Sequence, residues 1–498
     1  MRILTGCAAG LALLAAACVA GPAMEPGAPH VRVETGELAG TSSDGVNVFQ
    51  NIPFAAPPVG ALRWTPPQPA AAWAGVRDAT AHGPSCPQTM RPDGSPNPGG
   101  AYGPIAEDCL QLNVFAPAGA KKAPVMVWIH GGSHRTGAGW IYDGTSFAQD
   151  GIVVVTINYR LGALGYLAHA SLGERSGNYG LMDQIAALDW VKRNIAAFGG
   201  DTGNVTVFGE SAGGWSTMAV LAAPSARGLY HKAIVESGGG WYPPTTEAGM
   251  QEQGAKILSA IDIGADASAD ELRAIPMEKL ATLAGDYAPY ADGVLMPETP
   301  SQAMARGRFP DVPLIIGWNS GEDTLMGPGP LPEATLKQIP PIARMVYPKE
   351  AAEGDETLAR TIFTDSVFGA PARWVAAQAS KGQPSWLYHF SYVAEARRDT
   401  VKRAGHASEI PYVFKMKLSM VGDIGPNDEP IADLMHACWA SFAKNSRPVC
   451  GDEAWPGYAP DTDQLMEFGI DPGVRTGFKK NAFTAQETVG LPGLKLGE

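Results

Sequence analysis

What this chain has little of narrows the field first. Charged residues fill only 17% of its 498 positions, and acidic side chains outnumber basic ones by 50 to 37. The formal net charge of -13 argues against nucleic acid or an anionic membrane surface as a partner, since either would demand a basic face. It says little about a small neutral substrate. Cysteine is scarce, and beyond the N-terminal segment only Cys86, Cys109, Cys438 and Cys450 remain. None of their spacings resembles a zinc site, and no metal, nucleotide or organic cofactor is implied. No segment after the N-terminus reads as transmembrane. No unit repeats with a fixed period, and low complexity is confined to the Pro/Gly loop at 91–104.

What is there is an apolar chain rich in turns. Hydrophobic residues make up 45%, enough for an extensive core, and glycine and proline are abundant. The first residues, "MRILTGCAAGLALLAAACVAGPA", join one arginine to a short apolar run and then small residues. That is the pattern of a removed signal peptide, 1–23, and predicts export to a periplasm or the medium. Cleavage near Ala20 or Ala23 would release a soluble protein; alternatively, "LAAAC" makes Cys18 a candidate lipid anchor, although its Leu sits one place too far upstream. Ordinary cleavage is preferred, because only the cysteine fits the second pattern well. In an exported chain the four remaining cysteines allow three disulfide pairings. Local pairing, Cys86 with Cys109 and Cys438 with Cys450, closes two short loops; the other reading is free buried thiols, weighed more heavily for the second pair.

Six apolar, β-branched runs punctuate the chain: 123–132, 151–160, 204–211, 232–239, 312–320 and 385–393. Their continuous rather than alternating apolarity predicts central strands covered on both faces. Leu181, Ile185, Leu188, Val191 and Ile195 recur at helical spacing between two of them. Strands alternating with helices predict an α/β fold around a mostly parallel sheet, one catalytic domain spanning 28–490. The alanine-rich stretch near 243–300 and the proline-punctuated stretch near 328–348 read as insertions over that sheet.

Chemistry concentrates around Ser211. "GESAG" sets it between Gly209 and Gly213 at the end of an apolar run, the pattern of a tight strand-to-helix turn that lifts a hydroxyl clear of a sheet. On such a fold an acid and then a histidine follow the serine in chain order. Among the later histidines, His389 lies inside an apolar strand and His436 inside a helical pattern. His406 lies in the polar loop "KRAGHASEIPYVF", where a general base belongs. The acid should end a strand between Ser211 and His406, and "VPLIIGWNSGEDTL" offers both Glu322 and Asp323; spacing alone does not separate them. "VWIHGGSHRTGAG" adds glycines at the end of an early strand, ready to present backbone N–H groups to an oxyanion together with the N–H of Ala212.

With "FQNIPFAAPPVGALRWTPPQP" (49–69), "EDCLQLNVFAP" (107–117), "INYRLGALGYLA" (157–168), "GNYGLMDQIAALDWVKRNIAAFGGDTGNVTVFGESAGG" (177–214) and "HASEIPYVF" (406–414), the chain resembles the type-B carboxylesterases over nearly its whole mature length. The resemblance implies an α/β-hydrolase fold and a serine carboxylic ester hydrolase working through an acyl-enzyme on small to medium neutral esters. A specialised esterase for aryl, feruloyl, toxin or polymer-derived esters is the alternative, and a non-catalytic binding member the alternative of another class. It assigns Ser211 as nucleophile, His406 as base and Glu322, five places after Gly317, as acid. Asp323 stands where the family usually has glycine and stays a minor alternative. The oxyanion donors carried over are the N–H groups of Gly132, Ser133 and Ala212, with Ser133 replacing a residue that is commonly glycine. His134, Trp215 and Trp241 become candidates to line the pocket, and Ser237 matches a position next to the triad. The resemblance also implies a Cys86–Cys109 disulfide and the buried pairs Arg63–Glu107 and Arg160–Asp183.

Overall fold

The computed structural model describes residues 27–496 apart from 91–94, 96–99, 418–423 and 453. The signal segment 1–23 and Cys18 lie outside the described residues. All six apolar runs form strands, and they are neighbours in one sheet of eleven. Seven strands run parallel through its middle, in the order Gln464–Phe468, Ser385–Phe390, Leu314–Asn319, Lys232–Glu236, Gly200–Glu210, Ala123–Ile129 and Val153–Ile157. Antiparallel strands extend both sides: Gly473–Thr476 at one edge, and Gln111–Pro117, Val46–Pro53 and Thr41–Ser43 at the other. The terminal strands escaped the apolar-run reading because a strand near a sheet edge needs only one buried face.

The parallel strands are apolar because helices cover both faces, and Val153–Ile157, Lys232–Glu236 and Leu314–Asn319 are buried at every position. The helix Tyr179–Asn194 turns Leu181, Leu188 and Val191 into the core, as its periodicity predicts. The 243–300 stretch carries the helices Glu247–Ser259, Ala269–Arg273 and Met277–Thr282 between two adjacent strands. It is tied down by Arg63, whose Nη1 donates to the carbonyls of Ile275 (2.6 Å) and Arg273 (3.0 Å) while its Nε donates to Glu107 Oε2 (2.7 Å). Arg160 and Asp183 form the second scaffold pair, bidentate at 2.7 Å on both arms and almost wholly buried. Both local disulfides are formed, Cys86–Cys109 and Cys438–Cys450. Among the described residues no helix is long and apolar enough to cross a membrane. Disulfides and the lack of such a helix are compatible with an exported protein.

Candidate active site

Four parallel strands end at one edge of the sheet, and each is followed by part of one site. Gly131–Ser133 follow Ala123–Ile129, Ser211 follows Gly200–Glu210, Glu322 follows Leu314–Asn319, and His406 lies in the loop beyond Ser385–Phe390. The carboxyl ends of strands are where open α/β sheets bind ligands, because the connecting loops splay there.

The turn at Ser211 is as tight as its glycines suggest. Ser211 has φ 56° and ψ -122°, a backbone state that side chains rarely adopt, and the helix Ala212–Ala222 begins directly after it. A Cβ on Gly209 would stand 2.5 Å from the Ile129 carbonyl oxygen, and one on Gly213 only 2.0 Å from it. Glycine at both places is therefore a packing requirement: the helix start is pressed against the neighbouring strand. The loop after that neighbouring strand has three successive residues at positive φ, Gly132 (99°), Ser133 (56°) and His134 (54°). A methyl group at Gly131 would meet Glu210 Oε2 at 2.8 Å and Ser211 Cβ at 3.1 Å, so this loop, the elbow and the Glu210 carboxyl border one point.

The acid and the histidine are knitted together by backbone as well as side chain. His406 Nδ1–H donates to Glu322 Oε2. The other carboxylate oxygen of Glu322, which is fully buried, accepts from Ser237 Oγ (2.6 Å) and from the Asn319 N–H (2.7 Å). Three partners on a buried carboxylate fix its orientation. Around this pair, the Gly321 N–H donates to the Ala404 carbonyl (2.7 Å), the Ala404 N–H to Ser320 Oγ (2.9 Å) and the His406 N–H to Thr324 Oγ1 (2.9 Å). Asp323, the neighbour that spacing left in contention, turns the other way and takes Arg403 at 2.9 Å.

Two further carboxyls crowd His406, and sequence reasoning assigned them no role. Glu210 Oε1 lies 3.1 Å from His406 Nε2, and Glu409 receives the Asn319 side-chain amide. Burial by itself would lower the imidazole, but Glu210, Glu322 and Glu409 outweigh it and raise His406 to about 10. Burial likewise drives Glu210 well above the carboxylate range and Glu409 up to about 7, against the opposing pull of His406. The protonation of these groups is therefore coupled. Their positions, one residue before Ser211 and three after His406, were the available signal; nothing in the spacing says that both side chains turn inward.

Of the expected pocket residues, His134 lies deepest. Its side chain is buried at 1% exposure, with Nδ1 2.9 Å from the Tyr287 carbonyl and Nε2 2.9 Å from Ser216 Oγ. Its ring also packs on Tyr166, with centroids 4.9 Å apart. Ser133 is exposed. Trp215, one helical turn past Ser211, is half-buried and packs on Tyr242 with ring centroids 4.9 Å apart. Trp241 packs against Gly490 of the helix Lys480–Gly490, where a Cβ would come within 2.4 Å of its ring. His389 and His436 have partners elsewhere: His389 packs on Trp318, and His436 Nδ1 donates to the Val413 carbonyl at 2.7 Å.

A parallel sheet with a strained serine turn, and an acid and a histidine at its carboxyl edge, defines an α/β-hydrolase. Comparison with known proteins is more specific. The carboxylesterase family matches residues 27–340 and 342–486. The para-nitrobenzyl esterase of Bacillus subtilis is 36% identical over 473 residues, covering 88% of this chain and 94% of its own. The fumonisin B1 esterase of Sphingopyxis macrogoltabida is also 36% identical, covering 88% and 86%. A solved PNB esterase structure superposes with a TM-score of 0.78 at 34% identity, covering 91% of this chain and 99% of its own. The chain belongs to the carboxylesterase family and is a serine carboxylic ester hydrolase.

Proposed function

We propose that Ser211, His406 and Glu322 form the catalytic triad of this esterase, with the N–H groups of Gly132, Ser133 and Ala212 as its oxyanion hole. The observation that carries the reading is the Glu322–His406 hydrogen bond, which fixes Nδ1 and sets Nε2 3.1 Å from the carboxyl of Glu210, the residue before Ser211. In the first step Nε2 takes the Ser211 hydroxyl proton as Oγ attacks the ester carbonyl carbon. The carbonyl oxygen becomes an oxyanion facing the three N–H groups. Collapse expels the alcohol, protonated by Nε2–H, and leaves an acyl-serine. Water, deprotonated by the same nitrogen, then releases the acid. Glu322 holds the Nδ1–H tautomer and stabilises the imidazolium through both transfers. A neutral Nε2 must be available at the start, and the cluster supplies it when the proton resides on Glu210.

The substrates are small to medium neutral esters, with Ser133, Trp215 and Trp241 bordering the acyl and alcohol groups. The partly exposed aromatic surface of Trp215 and Trp241 supports that class. A specialised ester remains the second reading; the relatives include an esterase named for fumonisin B1. The working unit is residues 28–490, exported after removal of 1–23, with anchoring through Cys18 as the alternative. Ser211→Ala tests the core of the proposal: turnover of a short p-nitrophenyl ester should fall by at least about 10⁴-fold with an unchanged circular dichroism spectrum. Full activity in that variant would sink the assignment. A panel varying acyl and alcohol size separately decides between the broad and the specialised substrate.

A further inference from the structure

Asp323 lies next to the acid, yet it is absorbed by no step of the mechanism. Its carboxylate is 7% exposed and accepts from Arg403 Nη2 at 2.9 Å, while Arg360 Nη1 stands 3.6 Å from the same oxygen. Arg360 also donates to the backbone carbonyls of Asp323 (3.3 Å) and Gly329 (2.6 Å), and the Asp323 N–H donates to Thr364 Oγ1 at 3.2 Å. Three segments therefore converge on one buried carboxylate: the acid's own turn Glu322–Met326, the helix Asp355–Thr364, and the loop that carries His406.

The geometry makes a double clasp. Glu322 grips His406, and its neighbour Asp323, turned the opposite way, grips Arg403 three residues upstream in the same loop. Between the two clasps lie the Gly321–Ala404 backbone bond and the bond from the His406 N–H to Thr324 Oγ1. A Cβ on Gly405 would already be 3.1 Å from Thr324, so the loop has little room to shift without moving the acid's turn. We infer that Asp323, through Arg403, is a positioning residue for His406: it holds the imidazole at the place where Nδ1 meets Glu322 and Nε2 lies 3.1 Å from the carboxyl of Glu210, the residue before Ser211. A glycine at this position would leave the loop to the Glu322 clasp alone. This rests on His406 being the general base. A buried carboxylate between two guanidiniums could instead only stabilise the fold, so the test must read catalysis per active molecule.

The experiment is a double-mutant cycle of Asp323→Asn and Arg403→Gln in the full mature chain. kcat is normalised by titration with a fluorophosphonate that labels the active serine, and His406→Ala serves as control. Misplacement of a base by a fraction of an ångström predicts a kcat loss of about 10-fold in each single variant, with KM within about twofold. The double variant should lose no more than either single, because both break one clasp. Asp323→Glu should recover most of the rate. The downfield proton resonance of His406 Nδ1–H should move or broaden in Asp323→Asn and keep its position in Asp323→Glu. Unchanged kcat per titrated site in Asp323→Asn, or losses that multiply in the double variant, would overturn the inference. If His406→Ala itself keeps its activity, the triad reading falls instead.

Discussion

His134 and His406 both lie under the carboxyl edge of the sheet, each with both ring nitrogens facing polar atoms, and their surroundings drive them apart. His134 is buried among neutral partners: the Tyr287 carbonyl takes Nδ1–H, and the Ser216 hydroxyl faces Nε2 while receiving the Gln184 amide at 3.0 Å. With no carboxylate to oppose it, burial lowers His134 to about 4, so it stays neutral and rigid. Around His406 three carboxyls outweigh the same burial and raise it to about 10. Depth in the protein does not decide what a histidine does; the charge of its immediate neighbours does.

The largest break in that comparison is removal of each ring. His406→Ala should lower kcat/KM by about 10⁵-fold or more, whereas His134→Gln should cost less than about 10-fold and show instead as a lower unfolding midpoint. Steady-state kinetics and thermal denaturation on the same preparations read both. Next in size, Glu322→Gln should reduce kcat by about 10³- to 10⁴-fold, because the amide no longer selects the Nδ1–H tautomer. Ser216→Ala, the corresponding cut behind His134, should cost about 1–3 kcal/mol in denaturant titrations by leaving Nε2 buried and unpaired, with kcat changed less than about threefold. The smallest effect is in pH. Glu210 stabilises the imidazolium, so Glu210→Gln should lower the His406 pKa in the free enzyme. The acid limb of kcat/KM should then move to lower pH, and His134→Gln should leave that limb where it is. An unmoved limb in Glu210→Gln would detach this carboxyl from the base.

Much of the architecture was legible in particular residues. The fully apolar runs 123–132, 151–160 and 312–320 announced two-sided burial, and each contains a central strand. The glycines of "GESAG" announced the tight turn at Ser211. Less legible were the edge strands near the C-terminus, whose one buried face leaves no continuous apolar run. The inward turns of Glu210 and Glu409 were also hidden, since carboxyls in polar turns usually face water. The depth of His134 was hidden as well, since its contacts with Tyr287 and Ser216 join segments far apart in the chain.

By itself the sequence determined the things that local sterics and one-dimensional order control. These are the strands that must be covered, the turn that admits only glycine at Gly209 and Gly213, and the small set of groups able to attack, accept or stabilise. Only the tertiary structure decided which of two adjacent carboxyls faces the base and which faces Arg403. It also decided that three carboxyls from separate segments meet at one imidazole, and which of two histidines stays neutral. Those outcomes depend on electrostatic fields summed over atoms far apart in the chain, and proximity of that kind exists only once the sheet has brought its strand ends together.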